Sequence, residues 1–225
     1  MGGDIISGPM PGQTLQRLSH LGDQVHFIRG NADREVVMVF DGPPLSSALP
    51  EQVREETQWI AQQVTRSQRD FLAALPQRLV LRVEGLGSVL FCHATVRSDE
   101  EIFTPVTPEE RLSVIFSQVE QEIVVCGHTH MQFERCIGNL RILNAGSVGM
   151  PYADGPGAYW LLLSSEGYAF RRTAYDGEAA AREIRASGFP QAQEFAGENV
   201  LKVPSAAEAT EVFERMAEER WSPGG

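Results

Sequence analysis

The run EIVVCGHTH, residues 122–130, constrains this chain more than any other stretch. A short apolar segment ends at Gly127, and the next residues are His128, Thr129 and His130. An apolar run of that length bounded by a glycine reads as a strand. Polar residues on the loop at its end are carried by a rigid sheet, which is where binding and catalytic groups are placed. In an extended chain residues i and i+2 face the same way, so two imidazoles can enter one pocket. Neutral imidazole is the commonest metal-ligating side chain. Taken alone, H-x-H is short enough to be two surface histidines.

The pattern recurs. SVLFCHAT ends a second strand at His93, and VHFIRGNAD places Gly30, Asn31 and Asp33 after a third. An Asn carbonyl is a hard oxygen ligand, and Asp33 can orient a neighbour or a bound water. ILNAGSVGMP (142–151) follows a fourth strand with a loop of small residues, whose backbone can approach a ligand closely. Each of these segments also reads as an ordinary turn. Of the histidines at 20, 26, 93, 128 and 130, three directly follow apolar strands.

Around these motifs the organisation is mixed. Leu15, Leu18 and Leu21 at helical spacing, with Gly22 as a stop, predict a helix over 13–22. QVHFIRGNAD reads as a strand running into a loop, DGPPLSSALP as a loop, and 51–75 as one long helix or two. RLVLRV and SVLFCHA form a hairpin around EGLG; FERCIGNLRILNAG gives two strands around Gly138-Asn139; AYWLLL and YAFRRTAY pair around SSEG. Thr107, Pro108 and Glu110 form a capping-box start for a helix. From 176 the chain turns helical and rich in Ala and Glu, with one helix from Asp176 to Gly188 and another opened by Ser205 and Glu208. The stripe Val212, Phe213 and Met216 is expected to pack on the body. The expected division is a body over 1–175 and a helical appendage over 176–225 packed on it. At least six strands in hairpin-like pairs point to packed sheets flanked by helices, not to one doubly wound sheet.

Composition narrows the function classes. No run of 18 apolar residues is long enough to span a membrane, and no basic-then-apolar leader is visible. The opening Met-Gly-Gly-Asp fails the myristoylation pattern, because Ile6 stands where Ser or Thr is required. Three cysteines without clustered spacing point to a reducing cytoplasm. The net charge of −11 disfavours general nucleic-acid and anionic-lipid binding. An anionic substrate would therefore need a local positive charge, which a bound metal supplies.

GD at 3–4, GNAD at 30–33, FCHAT at 91–95, GHTH at 127–130 and NAGSVG at 144–149 occur in that order. Together they resemble the calcineurin-like metallophosphoesterases, in particular the small bacterial phosphodiesterase branch. The resemblance covers roughly residues 3–175. It implies an α/β fold, a four-layer α/β/β/α sandwich with a two-metal site at the strand ends. It further implies that Asp4 bridges both ions, that Asn31, His93 and His128 complete one position, and that His130 belongs to the other. Two divalent ions are expected, Mn first, with Fe, Zn, Ni or Co also fitting mixed N/O ligands. The implied reaction is phosphoester hydrolysis by a metal-bound hydroxide, on a small phosphorylated substrate such as a nucleotide. Arg29, Arg34 and Arg97 are candidates to contact phosphate or to form surface ion pairs. A homo-oligomer stays open.

Two departures accompany the resemblance. Ala32 stands where many relatives carry a His able to protonate the leaving group. The strand ending in Asp-x-His that opens the family fold, with its two ligands, does not occur in the chain. The expectation is an N-terminally truncated sandwich with strand edges exposed. One metal position would keep only Asp4 and His130. Either the start has been placed too late and the site is catalytic, or the chain is a weakly active or non-catalytic metal-binding relative acting as a binding or regulatory module.

Overall fold

The computed structural model describes residues 1–221. Its centre is a five-stranded mixed sheet in the order β1-β2-β3-β5-β4. The strands are β1 (Arg78–Val83), β2 (Gly87–Cys92), β3 (Ile123–Cys126), β4 (Gln132–Ile137) and β5 (Leu140–Ala145). The inner strands β2, β3 and β5 run parallel; β1 and β4 pair antiparallel at the edges. All four residues of β3 are buried, the expected signature of a parallel strand covered on both faces. A second sheet is the hairpin β6 (Ala158–Ser164) and β7 (Gly167–Thr173).

Strand alternation divides the core in two. Val89, Ile123, Val125 and Leu143 face the hairpin and meet Leu161, Leu163 and Phe170. Leu90, Cys92, Val124, Cys126 and Ile142 face the other way, onto Phe103, Leu112, Ile115 and Phe116. Leu112 is 0% exposed. Truncating such a residue costs about 2–5 kcal/mol. Leu112 and Ile115 belong to α5 (Glu109–Ile115). Gln132 Nε2 of β4 lies 2.8 Å from the Trp160 carbonyl oxygen, tying the two sheets together.

A separate cluster packs Ile5 and Ile6 against α1 (Pro11–Ser19), α2 (Asn31–Phe40), α3 (Glu51–Gln63) and α4 (Arg66–Ala73). The 51–75 segment is two helices, because Val64 turns extended and Thr65 recaps the chain with Gln68. After β7 come α6 (Gly177–Ala186), the short α7 (Ala192–Phe195), a wide π turn over Ala196–Leu201, and α8 (Ala206–Arg220). Asp176 caps α6, and Ser205 with Glu208 forms the box that starts α8. No helix among the described residues is long and apolar enough to cross a membrane.

Three local expectations change. QVHFIRGNAD is not a strand running into a loop. Residues 25–30 lack a strand ladder, and Asn31 heads α2. Isolated backbone bonds join Met1 to His26 and Ile28, at 2.7 and 3.2 Å, and Arg29 N–H to the Pro76 carbonyl at 2.8 Å. Thr107 does not cap α5; its hydroxyl accepts from Thr104 N–H at 2.8 Å and donates to Glu214 at 2.6 Å. The buried stripe of α8 is Ala209, Phe213 and Ala217 at i, i+4 and i+8, whereas Val212 is 45% exposed.

Candidate metal centre

Three chain segments converge at the C-terminal ends of the parallel strands. His93 follows β2 and is 4% exposed. The loop from β3 to β4 carries His128 and His130. The third contributor is the segment around Asp4, fixed against the start of α2. Asp33, at the third position of that helix, is 0% exposed. Its carboxylate accepts N–H bonds from Gly30 and Asp4, both at 2.8 Å, and from Ile6 at 3.2 Å. Asp4 Oδ1 in turn accepts from Ala32 N–H at 2.9 Å. The two glycines beside these residues are required sterically. A Cβ on Gly30 would lie 2.0 Å from Asp4 Oδ1, and one on Gly3 would lie 2.5 Å from His93 Nδ1.

One donor atom each from Asp4, His93 and His128 lies within 4.8 Å of the others. His93 Nε2 is 3.2 Å from Asp4 Oδ2 and 3.3 Å from His128 Nδ1. The other nitrogen of His93 is 2.7 Å from the Gly2 carbonyl oxygen. A carbonyl only accepts, so His93 Nδ1 carries the proton and donates it there. His93 Nε2 then turns a lone pair toward a carboxylate and a second imidazole. Such a convergence of lone pairs is balanced by a cation, either a proton or a metal.

The ionisation pattern expresses the same demand. Burial opposes charge on His93, yet the adjacent Asp4 carboxylate and the Gly2 carbonyl outweigh it and raise the imidazole. Burial would raise Asp4, but His93, His128 and the Ala32 amide hold its carboxyl below the usual range. His128 is pushed down to about 4 by burial and then by the His93 charge. Burial likewise lowers His130. Asp33 is pushed up to about 6 by burial and then by the Asp4 charge, against the pull of its backbone donors.

His128 and His130 do not reach the site along an extended chain. Both adopt the left-handed conformation, with φ of 66° and 58°, and Asp4 does so at 53°. These are three of the four non-glycine residues with positive φ among the described residues. Such backbone persists only where its surroundings over-determine it. Asn144, 0% exposed, supplies much of that constraint. Its Nδ2 bonds the Gly127 carbonyl at 2.6 Å and Thr129 Oγ1 at 3.0 Å.

Asn31 Oδ1 and His130 Nδ1 are buried without a hydrogen-bond partner. The Asn31 amide nitrogen points instead at Glu35, 3.4 Å away. Three supporting residues escaped the sequence reading. Asn144 and Glu35 are buried polar groups with no motif of their own, and Tyr152 stacks on the His130 ring. Asn144 lay inside NAGSVG, where only the small residues drew notice. The arginines divide. Arg34 is held by Asp99 at 3.0 Å and by Glu100. Arg97 is held by Glu101 at 3.1 Å. Arg29 keeps a buried Nε without a partner.

Residues 1–167 match the calcineurin-like phosphoesterase superfamily domain. The chain belongs to the calcineurin-like phosphoesterase superfamily. That superfamily is dependent on divalent metals, and the present donor set fits such an ion. The fold of this superfamily member is similar to a hypothetical protein of Pyrococcus horikoshii. That match has TM-score 0.73 and 19% identity, and covers 89% of this chain and 84% of the other. It is also similar to a metallophosphoesterase of Sphaerobacter thermophilus, with TM-score 0.64 and 19% identity over 88% and 86%. At that identity the likeness concerns the fold. No curated protein matches the chain.

Proposed function

We propose that this phosphoesterase-superfamily chain is a metal-dependent phosphoester hydrolase acting on a small phosphorylated substrate, a nucleotide being the candidate. The observation that carries the reading is the convergence of Asp4 Oδ2, His93 Nε2 and His128 Nδ1, with the Nδ1 proton of His93 directed away to Gly2. Asp4, Asn31, His93 and His128 would hold one ion. Asp4 and His130 would serve a second. Two buried atoms without partners, Asn31 Oδ1 and His130 Nδ1, support this assignment, because a buried polar atom left unpaired is costly unless a ligand takes it. The mixed nitrogen and oxygen set suits Mn²⁺, with Fe, Zn, Ni or Co as alternatives.

A bound divalent ion would supply Lewis-acid stabilisation of phosphoryl charge and an activated water. The protein's own contribution is orientation. Asp33 fixes the backbone of Asp4, Gly2 fixes the His93 tautomer, and Asn144 fixes the histidine loop. Arg29, with its unpaired Nε one residue before Gly30, is the better placed arginine for a phosphate oxygen; Arg34 and Arg97 already meet carboxylates. Ala32 transfers no proton, which favours substrates whose leaving group departs without help. The three cysteines are free, in keeping with the cytoplasmic placement we propose.

A second reading, a metal-binding module with little or no turnover, is favoured by Ala32 and by the two-residue ligand set of the second position. Hydrolysis of bis-p-nitrophenyl phosphate by the metal-free protein, before and after adding Mn²⁺, separates the two. Turnover that appears with Mn²⁺ and disappears in His93→Ala supports the hydrolase. A folded protein that binds one ion and never exceeds the background rate supports the module.

A further inference from the structure

The superfamily domain ends at residue 167, yet part of what surrounds His130 comes from α8, well beyond it. The His130 ring stacks on Tyr152 with centroids 5.6 Å apart and planes inclined by 26°. Tyr152 rests in turn on Phe213 of α8, at 5.7 Å. The backbone follows the same path. Tyr152 N–H donates to the His130 carbonyl at 3.1 Å, and Ala153 N–H donates to the Pro204 carbonyl at 3.1 Å, just ahead of α8. The next residue, Met131, is 1% exposed, and its sulfur lies 3.3 Å from Thr210 Oγ1 of α8, whose hydroxyl donates to the Ala206 carbonyl at 2.7 Å.

The helix is itself firmly seated. Glu214 accepts from the hydroxyls of Thr104 at 2.5 Å and Thr107 at 2.6 Å. Arg111 donates to the Ala217 carbonyl at 2.9 Å. These bonds fix α8 to the loop before α5 and to α5 itself.

A ligating imidazole is ordinarily oriented by a hydrogen bond from its other nitrogen to a carboxylate or carbonyl. His130 has a hydrogen bond to the Met150 backbone, while its Nδ1 is buried without a partner. Its φ of 58° is strained, so packing against the ring is needed as well to hold its orientation. Tyr152 provides that packing, and α8 backs it through Phe213.

We infer that α8, acting through Phe213 and Tyr152, is a positioning element for His130 and so couples the C-terminal segment to the metal centre. This rests on the reading of His130 as a metal ligand. Phe213 and Tyr152 touch neither substrate nor metal in this scheme; they act through the His130 ring.

The test uses the full chain with Phe213→Leu and Tyr152→Leu, which keep apolar volume and remove the ring. Ile184→Val in the α6 core serves as the stability control. In the metal-free protein, ring-proton NMR signals of His130 should shift in both leucine variants and stay in place in Ile184→Val. In Zn²⁺ titrations, binding at the site that includes His130 should weaken about tenfold in each leucine variant. Neither leucine substitution should weaken it further once His130→Ala is present. Phe213→Leu with unmoved His130 signals and wild-type affinity overturns the inference. If His130→Ala leaves Zn²⁺ binding unchanged, the ligand reading of His130 falls, and the coupling to the metal centre falls with it. Equal losses from Phe213→Leu with and without His130 would also overturn it, since the effect would then be general.

Discussion

His93 Nε2 lies 3.2 Å from Asp4 Oδ2 while the opposite nitrogen of the same ring meets the Gly2 carbonyl oxygen at 2.7 Å. The pair is held from both sides, and the Nε2 edge of His93 faces both the Asp4 carboxylate and His128 Nδ1. Asp4→Asn keeps the shape and removes the charge. It should lower divalent-metal affinity by more than the roughly 10–100-fold typical of residues that only support ligands. Calorimetric titration with Mn²⁺ measures this.

His93 is raised because Asp4 and Gly2 outweigh burial, so a metal competes with a proton at its Nε2. The number of protons released per ion bound should be larger at pH 6.5 than at pH 8.5. Titrations in two buffers of different ionisation enthalpy give that number. A release near zero would mean that His93 is not at the binding position.

His128 gives stability the opposite dependence. Its folded value, about 4, lies below the ordinary 6.5, so the unfolded chain takes up the proton first as pH falls. The contribution of neutral His128 is fully present above 6.5 and is lost as pH falls toward 4. The urea midpoint of the metal-free protein should therefore fall more steeply over that window than that of His128→Asn.

Gly30→Ala tests the packing of the site without altering a ligand. The new Cβ would lie 2.0 Å from Asp4 Oδ1 and 2.5 Å from Asp4 N. Displacing Asp4 should cost about 1–3 kcal/mol in urea unfolding, as overpacking typically does, and should weaken metal binding in parallel. Unchanged affinity would show that Asp4 is not fixed through Gly30.

Asp33→Asn removes an acceptor that three backbone N–H groups share. An amide oxygen cannot serve all three as a carboxylate does, and its NH₂ opposes the donors it faces. A loss of about 2–4 kcal/mol is expected from chemical denaturation, in line with breaking a buried charged network. The segment around Asp4 should become exchange-labile at the same time.

The sheet was largely legible because its signals are local. Alternation and turn residues announced the β1–β2, β4–β5 and β6–β7 hairpins, and the apolar run 123–126 announced β3. The donors His93, His128 and Asp4 were legible as polar residues punctuating strands or motifs. What escaped depends on residues far apart in the chain. The start of α2 is anchored by Asp33 to Asp4 and Ile6, and its Val36, Val37 and Val39 do not advertise a helix. The Thr107 hydroxyl is taken by Glu214, 107 residues away, so the local capping box does not form. The left-handed turn at His128 and His130 depends on Asn144 from the next strand but one, which no spacing rule within H-x-H could reveal.

The most direct measurement is an anomalous difference map from a crystal of the full chain soaked in Mn²⁺. A peak enclosed by Asp4 Oδ2, His93 Nε2 and His128, reached also by Asn31 Oδ1, is the predicted result. A well-ordered crystal with no peak among these residues, or with Mn²⁺ bound only elsewhere, would contradict it.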